Sequence, residues 1–173
     1  MKSGISDFRR VKPQRKSSPT DSEGLSALNQ VRAASPVGIA ADQLVFTPQD
    51  AFNVCREKAA DLIVLGLHET GGISRFIKTA HVAETAGINI CIHGLYETGI
   101  TTCAANQAAA TIANLNDGNQ YMNHLLAWDI IESPDLSLRN GQLPVLNGPG
   151  LGFELNFDAV ARASDNYLKA EKG

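Results

Sequence analysis

Three short apolar runs, each closed by a polar tip and each followed by residues with helical spacing, constrain the fold of this chain more than any other feature. Residues 37–42 read VGIAAD, residues 60–72 read ADLIVLGLHETGG, and residues 87–93 read GINICIH. Runs of about 4–8 apolar residues bounded by glycine and polar punctuation mark buried strands. The tips recur at about 25-residue intervals, the length of one βα unit, so the economical architecture is α/β, a parallel sheet with covering helices. Barrels and open doubly wound sheets both fit that pattern. In either, polar residues just past the carboxyl ends of strands are where a site is built. That singles out Asp42, the tip at residues 66–69, and His93 with Glu97.

The intervening segments carry helix signals. Leu25, Leu28 and Val31 follow helical spacing until Ser35-Pro36 closes the segment. Thr47-Pro48-Gln49-Asp50 supplies an N-cap, a proline at the first helical position and an acid at the third, which predicts a helix over 48–58. Gly71-Gly72 leads into a helix with Ile73, Phe76, Ile77, Ala80, Val82 and Ala83 on its apolar positions, ended by Ala86-Gly87. An alanine-rich helix is predicted over 100–113, a turn over 116–119 and a further strand over 120–126. Beyond these, Pro134, the Asn140-Gly141 hairpin signal and the run GPGLG at 148–152 describe a loop-rich segment, closed by an amphipathic helix over 158–169.

Charge and composition exclude several classes. The chain has 173 residues, with 15 Lys and Arg against 18 Asp and Glu. A small charge of mixed sign gives no reason to expect nucleic acid or an anionic membrane as a partner. No apolar run approaches the roughly 20 residues of a membrane span, and the start lacks a signal peptide's apolar region, so a cytoplasmic protein is expected. Residues 1–23 differ from the rest. Six are basic, Pro13 and Pro19 break helices, and a disordered or poorly packed leader is expected. A basic nucleic-acid arm is the alternative, weakened by the lack of aromatics beyond Phe8. Cys55, Cys91 and Cys103 have no CxxC spacing and read as buried free thiols. No GxGxxG or phosphate loop follows a strand, so nucleotide binding has little support.

Five stretches in consistent order and spacing resemble the enolase superfamily, nearest its mandelate racemase and muconate lactonizing groups. They are IAADQ at 39–43, ADLI at 60–63 with ETGGI at 69–73, AETAGI at 83–88, ETGI at 97–100, and NGPGLGFEL at 147–155. The resemblance implies a partial TIM-type (β/α)7β barrel, about strands five to eight plus the C-terminal segment, over residues 24–173. It also implies a divalent metal, usually Mg2+, that binds a small-molecule carboxylate substrate. The shared reaction is removal of the proton alpha to that carboxylate, and the fate of the enediolate separates racemases, dehydratases and cycloisomerases.

Carried over position by position, Asp42 resembles the third acidic metal ligand at the end of strand five. It reads otherwise as a loop cap. Gly66 stands where relatives carry a lysine or aspartate base. His93 resembles the strand-seven histidine that acts with that aspartate, and an imidazole is a fitting general base near neutral pH. With no carboxylate at position 66, Glu97 or His68 is the expected partner that sets its basicity; a hydrogen-bonded lining residue is the plainer reading of His93. Glu97 matches the acid of the loop after strand seven, where it orients substrate, hydrogen-bonds the base, or serves as a helix N-terminal carboxylate. Asn123 falls near the strand-eight acid and can still donate a hydrogen bond to substrate. His68 is a second substrate-contact candidate or a surface residue.

The resemblance also implies what this sequence does not supply. The family's other two metal ligands lie on strands three and four, and residues 15–20 hold no acid in place of the second. One carboxylate is a poor magnesium site, because that ion is held by several oxygens in near-octahedral array. The sequence therefore reads as a truncated product or fragment, acting as a homo-oligomer or with a complementing N-terminal half, or else as a non-catalytic remnant or binding module.

Overall fold

The structure, a computed structural model, describes residues 22–116 and 118–171, so nearly all of the expected leader lies outside the described residues. The chain divides into two compact units within the expected 24–173 domain. One runs as far as His93 and takes in Thr111–Gln120; the other comprises Gly94–Ala110 and the residues from Tyr121 onward.

The first unit is built of α1 (Ser22–Ala34), β1 (Ala40–Ala41), α2 (Pro48–Arg56), β2 (Leu62–Leu65), α3 (Ile73–Thr85) and β3 (Asn89–Ile92). The three strands are parallel in the order β1-β2-β3, with Ala41 opposite Ile63 and Val64 opposite Cys91. Ile63, Leu65, Phe76 and Ile90 are fully buried. Each such side chain contributes about 1.5–3 kcal/mol from removal of apolar surface from water.

Helix α2 begins where its capping box requires. Thr47 Oγ1 accepts from Asp50 N at 3.2 Å, and Asp50 Oδ2 accepts from Thr47 N at 2.8 Å. The helix stops at Arg56, two residues short of the expected end, and Lys58 takes a φ of 51°. Strand β1 is also shorter than expected, because a side chain replaces the ladder at its start. Asp61 Oδ2 accepts from Ile39 N at 2.9 Å, while Asp61 Oδ1 lies 2.7 Å from Arg32 Nη2. Asp61 thus joins α1 to the entry of both β1 and β2.

The strand expected over 120–126 does not form; residues Asn123–Leu125 make a 3-10 turn. The fourth line of pairing lies upstream, with Leu115 in a parallel bridge to Ile90. Asn116 N donates to Ile90 O at 2.7 Å and Gln120 N to Ile92 O at 2.9 Å. Side chains do part of the work of a strand here. Asn119 Oδ1 accepts from Ile92 N at 2.8 Å, and buried Asn114 donates from Nδ2 to Ile88 O at 2.8 Å. A segment rich in asparagine satisfies the edge without an apolar run, so periodicity did not mark it.

The second unit holds α4 (Gly99–Ala109), an antiparallel pair of β4 (Ile131–Ser133) with β5 (Glu154–Leu155), and α5 (Phe157–Glu171). Helix α4 ends four residues before its expected end. The Asn140-Gly141 signal forms its tight turn: φ is 52° and 75° at the two residues, and Arg139 and Gln142 exchange backbone hydrogen bonds of 2.9 and 3.0 Å. Asn156 Oδ1 accepts from Ala159 N at 2.9 Å and so caps α5. All three cysteines are free; Cys91 and Cys103 are buried as expected, and Cys55 is half-buried. Among the described residues no helix is long and apolar enough to cross a membrane.

Candidate acid-base site at the strand ends

The carboxyl ends of the three parallel strands bring Asp42, Glu69 and His93 together. Asp42 directly follows β1 and His93 directly follows β3. His93 N donates to Leu65 O at 2.9 Å, one step past the last strand pair, which fixes the histidine backbone against the end of β2. The loop after β2 then turns back over the strand. Thr70 N and Oγ1 both donate to Gly66 O at 3.0 Å, and Gly72 N donates to Leu67 O at 3.0 Å. Thr70 is buried, so this turn is held from inside, and it aims Glu69 back at the sheet.

Glu69 Oε2 lies 2.8 Å from His93 Nδ1. Asp42 Oδ1 lies 3.8 Å from the same nitrogen and has no hydrogen-bond partner among the described residues. The His93 side chain is 7% exposed, Glu69 9% and Asp42 19%. A carboxylate oxygen only accepts, so the proton between Glu69 and His93 sits on Nδ1 and leaves Nε2 as the accepting nitrogen of the neutral ring. Exposed His68 approaches from the loop tip, its ring centroid 5.9 Å from that of His93.

Gly66 explains why these groups can share one place. A Cβ there would stand 2.6 Å from Glu69 Oε2 and 3.1 Å from His68 Cε1. The space a larger side chain would take at the end of β2 is filled by the residues of the loop instead. Cys91, two residues before His93, feels the charge of Asp42. Burial, reinforced by the negative charge of Asp42, pushes its thiol up to about 11.

Of the residues expected from sequence, Asp42, His68 and His93 are placed together. Glu69 was missed as the partner of His93, a role expected of Glu97 or His68. Its acidic residue type at a loop tip was the available signal, but only the Thr70 turn shows that it folds back. Glu97 and Asn123 lie in the second unit. Glu97 Oε2 accepts from Leu95 N at 2.5 Å. Asn123 Nδ2 donates to Asp129 Oδ2 at 2.6 Å, and Asp129 also accepts from Gly99 N at 2.8 Å, at the start of α4. Asp129 was not singled out in the sequence, because nothing local marks an acid that works 30 residues away.

Parallel strands with acidic and imidazole side chains gathered at their carboxyl ends define the class of α/β proteins that build their sites at strand ends. The chain belongs, more particularly, to the enolase C-terminal domain-like family, whose model matches residues 18–160. It is 35% identical over 144 residues to muconate cycloisomerase 1 of Rhodococcus opacus, covering 82% of this chain and 38% of that protein. The solved muconate lactonizing enzyme from Pseudomonas putida superposes with a TM-score of 0.76 at 29% identity, over 81% of this chain and 39% of that one. A solved enolase from Thermobispora bispora, complexed with magnesium and formate, gives a TM-score of 0.77 at 25% identity, over 84% and 35%. The chain thus spans well under half the length of the relatives it matches.

The family implies magnesium, and the donors around Asp42 do not fit it. Magnesium takes oxygen ligands at about 2.0–2.1 Å in an octahedron. Here the unpartnered Asp42 oxygen has the His93 imidazole nitrogen 3.8 Å away, and the adjoining cluster of His68, Glu69 and His93 offers two nitrogen donors and one oxygen.

Proposed function

We propose that this chain carries the acid-base half of an enolase-type site, in which His93, oriented by Glu69, takes the proton alpha to the carboxylate of a small organic acid. The observation that carries the reading is the 2.8 Å pair between Glu69 Oε2 and His93 Nδ1 at the ends of adjacent parallel strands. The carboxylate holds the ring with Nε2 bare, the arrangement a general base needs. Stabilising the enediolate falls to groups outside this cluster, since Asp42 and Glu69 are both anionic. Muconate cycloisomerases among the relatives make a muconate-like or sugar-acid substrate the first class to try, with His68 as a contact. A complementing segment would supply the preceding barrel strands, and a soluble cytoplasmic setting suits such a substrate.

A non-catalytic binding module is the second reading, favoured by one observation: the position of the family's strand-six base is Gly66. Solvent exchange decides between them. The chain is mixed with a polypeptide carrying the preceding barrel strands of a family member, and a panel of carboxylic acids is followed in heavy water by proton NMR. Exchange at the alpha carbon that falls by ~10²-fold or more in His93→Ala supports the base. Exchange unchanged by His93→Ala removes His93 from that role, and exchange absent across the panel supports the binding module.

A further inference from the structure

The cluster at the strand ends has the composition of a transition-metal site. We propose that His68, Glu69 and His93 bind a divalent ion of the zinc class, a site separate in its donors from the magnesium site that the family implies through Asp42. The inference does not depend on whether the chain turns over a carboxylate.

Four observations converge on it. One ligand atom from each of His68, Glu69 and His93 lies within 4.8 Å of the others. Zinc binds imidazole nitrogen at ~2.0–2.1 Å and carboxylate oxygen at ~2.0–2.2 Å, so ligands of a tetrahedral site stand about 3.4 Å apart. The 2.8 Å separation of Glu69 Oε2 from His93 Nδ1 comes close to that spacing. His68 must draw in toward the other two ligands to complete the set, because no two ligands of a 2.1 Å site can be more than about 4.2 Å apart.

Charge and space agree with the distances. Two carboxylates face one buried imidazole, and Asp42 Oδ1 is buried without a partner. A divalent cation held by the three ligands balances both charges, whereas a proton on the imidazole offsets only one. Gly66 leaves the room: a Cβ there would press on Glu69 and His68, the two loop ligands. Two imidazoles with carboxylates favour zinc, cobalt or nickel over magnesium.

Coordination through Nδ1 has a chemical consequence. The Nδ1 proton moves to Nε2 as the ring changes tautomer, the Nδ1 lone pair binds the ion, and no proton acceptor remains on the ring. An occupied site would therefore silence His93 as a base.

The test uses the purified chain with Zn2+ or Co2+ alone, followed by titration calorimetry and by the visible spectrum of the cobalt form. One ion per chain is expected, with a tetrahedral cobalt spectrum and no saturable response to Mg2+ over the same range. His68→Ala and Glu69→Gln should each weaken binding at least ten-fold, since even outer contacts of a metal site are worth ~10–100-fold. His81→Ala, exposed on α3, should leave it unchanged. Circular dichroism checks that His68→Ala, a change at an exposed loop tip, keeps the fold. Binding that is absent, that survives both ligand substitutions, or that is lost in His81→Ala overturns the site.

Discussion

Glu69 Oε2 lies 2.8 Å from His93 Nδ1 although 24 residues separate them in sequence. Two backbone devices hold the pair in place. The histidine is fixed by its own N–H on Leu65 O, and the glutamate by the turn in which Thr70 donates twice to Gly66 O. Such a pair selects a tautomer as well as a position, because the carboxylate accepts only from Nδ1–H.

Removing the acceptor should therefore change the ring before it changes the fold. In Glu69→Ala, the neutral His93 ring is expected to shift from the Nδ1–H form toward a mixture containing the Nε2–H form. Long-range proton-nitrogen NMR at alkaline pH, where imidazoles are neutral, reads the two forms directly. An unchanged tautomer would mean that Glu69 does not set it.

Gly66→Ala separates the chemistry of the site from its stability. The added Cβ meets the far end of the flexible Glu69 side chain, and Gly66 is not in the left-handed region, so the carboxylate can swing away. Unfolding free energy should fall by no more than about 1–3 kcal/mol, the cost of a buried donor losing its acceptor. His93 should nevertheless show the same tautomer change as Glu69→Ala. A variant that keeps the wild-type tautomer would show that the space above Gly66 is not what the pair needs.

The sequence made the βα punctuation legible because glycine, proline and cap residues act locally. Thr47 and Asp50 start α2, Asn140 and Gly141 make the tight turn, and the tips after three apolar runs lie at the strand ends as expected. It was less informative where pairing depends on side chains. Residues 114–120 complete the sheet edge through asparagines rather than apolar alternation, and the expected strand was placed several residues too late. The site followed the same division. Asp42 and His93 are legible as strand-end residues, whereas the partnership of Glu69 depends on a buried threonine turning the loop back, which no periodicity reports.

Asp129 is expected to be the residue on which the start of α4 depends. It accepts from Gly99 N at 2.8 Å, from Ile130 N at 2.7 Å and from Asn123 Nδ2 at 2.6 Å. Asp129→Ala leaves the buried Gly99 donor without its partner, and a lost charged acceptor of this kind costs about 1–3 kcal/mol. Asn123→Ala removes only one of the three donors and should cost about 1 kcal/mol or less. Urea unfolding of the two variants compares them, and equal losses would show that Asp129 works only through Asn123.

Cys91 gives the chain a stability that depends on alkaline pH. Its thiol is raised from the ordinary 9.0 to about 11, first by burial and then by the charge of Asp42. A group whose folded value is raised leaves stability fully present below the unfolded value and removes it as pH climbs toward the folded one. The window is therefore between about pH 9 and about pH 11, and a shift of this size corresponds to about 2–3 kcal/mol at its upper end. Other groups ionise in that range, so the comparison is with Cys91→Ala, which starts less stable but should lose about 2–3 kcal/mol less across the window. Parallel pH profiles of the urea midpoint for the two proteins would show that the Cys91 thiol does not carry the dependence.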